Sequence, residues 1–197
     1  MAFITIIQSA IRFSTIFLFG STGETITEKS GHLNLGTPGI MCLGALGGCL
    51  GVSISIGISG PSFLGVVFGI LFALLFGAIG GALFSFFTIT LRCNQNVVGL
   101  TLTTLGSGVF AFGFKNINSP QLPAAAKFFR ELFPIGTNPH WLAELFASYG
   151  ILVYLAIIVA IVATIVMNNT RIGLRLRSVG ETPATGDASG INVTGYS

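Results

Sequence analysis

Charge is the scarcest feature of this sequence. Nine basic and six acidic residues make up 8 % of 197, where a soluble globular chain carries roughly a quarter. So few charges cannot cover the surface of a soluble domain. Their placement says more than their number: no Asp, Glu, Lys or Arg stands between Lys29 and Arg92, between Arg92 and Lys115, or between Glu144 and Arg171. Uncharged runs of that length belong in lipid. Cysteine and histidine are scarce too. Cys42, Cys49 and Cys93 form no CxxC pair, and His32 and His140 lie far apart, so no metal site is expected and the cysteines read as small buried hydrophobes. No Lys or Arg precedes Arg12 and no small-residue cleavage site follows a short apolar core, so a cleavable signal is not expected.

Enzyme constellations are missing as well. Ser107 in GSG does not form a nucleophile elbow. Lys29-Ser30 ends like a phosphate-binding loop, but Glu28 stands where that loop needs glycine to wrap phosphates. The net charge of +3 comes from basic residues that are scattered or next to apolar runs, not set in a stripe with aromatics, which excludes nucleic acid as a partner.

What is present is apolar and rich in glycine, 27 residues in all. A membrane-crossing helix needs about 20 mostly apolar residues. That length is met at roughly 2–20, 38–58, 63–91, 97–114 and 149–167, so the expected fold is all-α, a polytopic membrane protein with about five transmembrane helices forming a partial permease domain. The third segment is long enough to require tilt or a kink. Between the first two lies a polar stretch, STGETITEKSGHLNLG at Ser21 to Gly36, that cannot sit in lipid. The stretch 115–147 holds four of the seven prolines and reads as a long loop with a short interfacial helix at 124–133.

Sidedness follows from the short loops. Arg92, Arg171, Arg175 and Arg177 mark the cytoplasmic face. The polar stretch with Glu24, Glu28 and Lys29 then lies on the same side, and the proline-rich loop lies outside. Glycines four residues apart, Gly44 and Gly48, Gly47 and Gly51, Gly65 and Gly69, Gly77 and Gly81, are expected to let helix backbones approach where lipid supplies no hydrophobic drive.

Polar residues near the apolar runs are candidates for a solute pathway: Arg12, Glu24, Glu28, Asn34 and Gln95. Arg12 costs about 2.5–3.5 kcal/mol at mid-helix unless it faces water or protein. Either an internal ion pair with Glu24 or Glu28, or a position at the interface, relieves that cost. Past the fifth segment, Thr182-Pro183 reads as a helix start and Gly190 as its stop. The helix between is too short to be stable alone in water and needs a partner surface, so 169–197 reads as a cytoplasmic docking loop.

Here the residues reach a resemblance. RIGLRLRSVGETPATGDASGINV resembles the cytoplasmic loop of ABC importer permeases of the branched-chain amino acid and monosaccharide type, through Gly173, Arg177, Ser178, Gly180, Pro183, Ala184, Gly190 and Ile191. GETITEKSGHLNLGTPGIMCLGALGG is similar to a block of the subgroup that works with lipoprotein receptors of the basic membrane protein type, many of which import purine nucleosides. Gly23, Glu24, Glu28, Gly31, Asn34, Gly36, Gly39, Met41, Gly44 and Ala45 fit that block. Three departures stand out. Thr182 replaces a frequent Asn but keeps an N-cap, Thr37 occupies a position often acidic, and Gly186 replaces a usual Ala, which weakens the short helix by about 1 kcal/mol.

The resemblance implies a multi-pass permease subunit of the bacterial inner membrane, without an ATPase motif or a cofactor of its own, because ATP is bound by partner subunits. It implies as partners two ABC ATPase subunits, a second permease subunit, a lipoprotein substrate receptor and membrane lipid. Arg177, Gly180, Glu181, Pro183, Asp187 and Gly190 would couple it to the ATPases. Family members run longer, with further spans after this loop, so the chain is expected to be the N-terminal part of a permease. The cargo that the resemblance implies is a nucleoside, with a sugar or branched-chain amino acid as the family alternative. A stand-alone channel or secondary transporter is the rival from another class.

Overall fold

The computed structural model describes residues 2–59, 63–115, 117 and 151–182. Among these the chain forms six α-helices: α1 (Ala2–Lys29), α2 (Thr37–Ser59), α3 (Phe63–Ser85), α4 (Gln95–Phe114), α5 (Ile151–Asn169) and α6 (Arg171–Glu181). Four stretches within them, Thr37–Ile58, Leu64–Thr90, Gln95–Phe114 and Leu152–Asn169, are long and apolar enough to cross a membrane. The fold is all-α and multi-pass, compatible with about five spans. The interfacial helix expected at 124–133 lies outside the described residues.

The first helix does not stop where its apolar run ends at Gly20. No proline interrupts the polar residues that follow. Their hydroxyls bond inside the helix, Thr22 Oγ1 to Leu18 O at 2.6 Å, Thr25 Oγ1 to Ser21 O at 2.7 Å and Thr27 Oγ1 to Gly23 O at 2.9 Å. The 28 residues of α1 at 1.5 Å each make about 42 Å, close to the thickness of a bilayer with its headgroups. A helix of that length that crosses a bilayer carries its polar end clear of the hydrocarbon. Gly31, with φ +88°, closes the helix. His32 N–H donates to Thr27 O at 3.2 Å and Gly31 N–H to Glu28 O at 2.9 Å, the paired bonds of a Schellman cap.

The long third segment divides. After Ser85 the helix widens into a π-helical turn, Phe86–Thr90, closed by Leu91 N–H donating to Phe86 O at 3.1 Å. Buried Thr88 donates its hydroxyl to Phe84 O at 2.8 Å, satisfying a carbonyl where the bond pattern shifts. Arg92 then takes a left-handed φ of 51°. Asn94 caps α4 by accepting from Asn96 N–H at 3.0 Å. Cys93 is exposed in this connection and Cys42 and Cys49 are only half-buried, so none of the three is the fully buried hydrophobe that composition suggested.

Glycines set how closely α2 packs on α3 and α4. A Cβ on Gly47 would lie 2.6 Å from Phe72 O, and one on Gly51 would lie 2.5 Å from Phe68 O. These are backbone contacts that no side chain fits. The pair Gly44 and Gly48 sits more loosely, at 3.4 Å and 3.5 Å from the nearest atoms of α3, while Gly77 and Gly81 have nothing within 4 Å. Of the four spaced pairs, Gly47 and Gly51 form the close seam, and Gly77 and Gly81 form none among the described residues. Gly77→Ala is accordingly expected to be neutral or to stabilise by up to about 1 kcal/mol, the helix-propensity difference. Thermal unfolding of the purified protein in detergent measures this.

Residues 171–181, expected to be part of a docking loop, form helix α6. Thr170 caps it, accepting from Gly173 N–H at 3.3 Å while donating to Val166 O at 2.6 Å. Only this one residue separates α6 from α5, and Gly173 makes the bend possible, since a Cβ there would lie 2.6 Å from Val166 O.

A candidate solute groove and its polar junction

Glu24, near the end of α1, reaches across to the loop that begins α2. Its Oε1 accepts from Asn34 N–H at 3.1 Å, and its Oε2 accepts from the Thr37 hydroxyl. Asn34 is buried and its Oδ1 accepts from Gly36 N–H at 3.0 Å. Gln95, at the start of α4, accepts from Leu33 N–H at 3.0 Å, and Thr103 donates to Leu35 O at 2.9 Å. Loop 30–36 is thus fastened to α1, α2 and α4 by side chains, each meeting a backbone group that would otherwise be unsatisfied.

Glu24, Asn34 and Thr37 supply polar groups to a groove of about 870 Å³ between α1, α2 and α4. The rest of its wall is mostly apolar, including Phe17, Leu18, Met41 and Phe110, with Cys42 among the lining. This is the usual make-up of a small-molecule site, apolar walls with a few placed polar groups. Of the five candidate pathway residues, Glu24 and Asn34 line the groove. Gln95 braces its loop without lining it. Glu28 and Arg12 are exposed.

The proposed ion pair of Arg12 with Glu24 or Glu28 is ruled out by α1 itself. On one continuous helix they stand about 18 and 24 Å apart, beyond the reach of two side chains. Reading the chain as a span followed by a loop had allowed it to fold back. The role of Thr37 was also missed. At a position often acidic in the family, its hydroxyl binds the Glu24 carboxylate, where an acid would repel it. The signal lay in the pairing across thirteen residues, which no local pattern exposes.

The loop meets α6 at its other end. A Cβ on Gly180 would lie 2.9 Å from Gly31 N and 3.0 Å from Ser30 C, and one on Gly31 would lie 3.1 Å from Gly180 Cα. Backbone touches backbone, with Val179 beside it fully buried and Ser30 buried opposite. Arg177 Nη2 donates to Asn168 Oδ1, tying α6 to the end of α5, and Glu181 is exposed at the last turn of α6. Pro183, Asp187 and Gly190 lie outside the described residues. The loop after α1, the start of α4 and the end of α6 therefore gather at one end of the bundle.

Apolar helices seamed by glycine, with a groove that ends in a braced polar loop, define a multi-pass helical membrane protein. The chain belongs to the family described as the branched-chain amino acid transport system permease component, which matches residues 6–197. It is similar to the nucleoside ABC transporter permease protein NupC of Lactococcus lactis, at 32 % identity over 97 % of this chain and 60 % of that protein. It is also similar to the guanosine ABC transporter permease protein NupQ of Bacillus subtilis, at 29 % over 95 % of this chain and 59 % of that protein. A putative glucose ABC transporter permease protein, TsgC13 of Haloferax volcanii, is 28 % identical over 95 % of this chain and 55 % of its own length. The chain spans 55 to 60 % of the length of these relatives. No solved structure matches it.

Proposed function

We propose that this chain is the permease part of an ATP-driven ABC importer and that its cargo is a nucleoside. The junction carries the reading. It joins the polar end of the groove to α6, and α6 lies within 169–197, the stretch that the family resemblance gives to the ATPase contact. Glu181, Pro183, Asp187 and Gly190 would engage the ATPases, and Arg177 would hold α6 to α5. Two ATPase subunits, a second permease and a lipoprotein receptor complete the assembly, and the chain needs no cofactor of its own.

The groove suits the cargo. Phe17 and Phe110 offer faces on which a planar base can rest, and the polar groups near Glu24 and Asn34 suit ribose hydroxyls. The nucleoside and guanosine permeases among the relatives support this choice, and the glucose permease supports a sugar as the second reading.

The test is uptake of radiolabelled guanosine by cells with and without the intact gene. Uptake is expected to require the gene and ATP, and to be competed by purine nucleosides and not by glucose. Competition by glucose alone selects the sugar reading. Uptake driven by a proton or sodium gradient without ATP contradicts the importer.

A further inference from the structure

Nothing in the importer reading says how a push on the cytoplasmic segment reaches the groove. We infer that the contact between Gly180 and the turn Lys29–Gly31 is that route, a backbone joint that transmits displacement of α6 to loop 30–36 and so to the polar end of the groove. The inference rests on the proposed importer function and adds to it one positioning residue that touches no solute, Gly31, as the contact through which Gly180 of the coupling set acts.

Three observations carry it. The joint is direct, since a Cβ on Gly180 would fall 2.9 Å from Gly31 N and 3.0 Å from Ser30 C, so no compressible side chain lies between the two backbones. Its α6 side is firm: Val179 is 1 % exposed and Arg177 is tied to Asn168. Its far side is firm too, because the loop leaving Gly31 is bonded in succession by Gln95 at Leu33, by Glu24 at Asn34 and by Thr103 at Leu35. A chain of stiff contacts shifts as a unit, where a flexible loop would absorb the motion. Glu24 and Asn34 are at once braces of the loop and part of the groove wall. Movement of Gly31 therefore moves the wall.

Cys42 lines the same groove and reports its shape. In membrane vesicles holding the assembled protein, the rate at which a thiol reagent labels Cys42, read on its own peptide by mass spectrometry, is measured with and without ATP. ATP is expected to change that rate in the parent protein. Gly180→Ala is expected to abolish the change and to lower uptake about tenfold, within the range that changes along a coupling route produce. Gly31→Asn places at the left-handed φ the non-glycine residue that visits it most readily, and its Cβ would meet Gly180 Cα and O at 3.1 Å each. It is the milder variant should Gly180→Ala fail to accumulate, and it is expected to reduce the change in part. Gly77→Ala should leave everything unaltered. An ATP response that persists in both joint variants overturns the joint alone. Absence of an ATP response in the parent overturns the importer reading, and the joint falls with it.

Discussion

Gly106→Ala is expected to destabilise the protein by about 3 kcal/mol, at the upper end of the cost of forcing extra atoms into a packed interface. Gly106 on α4 faces Gly39 on α2 so closely that a Cβ there would lie 2.7 Å from Gly39 Cα, and one on Gly39 would lie 2.6 Å from Thr103 Cα. Both obstacles are backbone, so neither can rotate away. Relief requires α2 and α4 to separate along their length. That separation also opens the neighbouring contact of Gly36 with Gly99, where a Cβ would meet Gly36 N at 2.8 Å. In lipid the loss is felt fully, because close dispersion contact is what holds apolar helices together there. Gly39→Ala should match it. Thermal unfolding in detergent, beside Gly77→Ala as a control, reads the difference. Equal melting temperatures for Gly106→Ala and Gly77→Ala would contradict the packing described.

Glu24→Ala is expected to cost about 2 kcal/mol, as hydrogen bonds to a charged group contribute about 1.5–3 kcal/mol and an orphaned donor adds its own penalty. The carboxylate accepts from Asn34 N–H and from the Thr37 hydroxyl. Thr37 keeps a second acceptor, Asn34 O at 3.0 Å, so the Asn34 amide bears most of the loss. Glu24→Gln retains one carbonyl oxygen and should cost about half as much. Hydrogen exchange at the Asn34 amide gives the local reading, with protection falling in the order wild type, Gln, Ala. Unchanged protection in the alanine variant would mean that the loop is held by Gln95 and Thr103 alone.

The helical, multi-pass fold was legible because charge-free runs and loop composition report directly on lipid. The seam of Gly47 and Gly51 was legible because a spacing of four places both on one helix face. Gly39 and Gly106 were not, since their pairing lies between helices and leaves no period in the chain. The true end of α1 was hidden by reading polarity as a break, whereas the threonine hydroxyls bond back to their own helix. Helix α6 was hidden by its glycines, which look like breakers until the backbones of Val166–Met167 and Lys29–Gly31 are seen to occupy the space a side chain would fill. The two blocks that carried the family resemblance share Gly31 and Gly180, yet only the fold brings them into contact.

Cysteines placed at His32 and Glu181 test that contact most directly. Each adjoins one glycine of the joint, so their Cα atoms lie within about 12 Å, given 3.8 Å per chain step. A cleavable bismaleimide spanning that distance is expected to link them within one chain in native membranes and to stop guanosine uptake until the linker is cut. If both cysteines react singly with a thiol reagent yet never link, the joint does not exist. If they link and uptake is unaffected, it does not carry the motion.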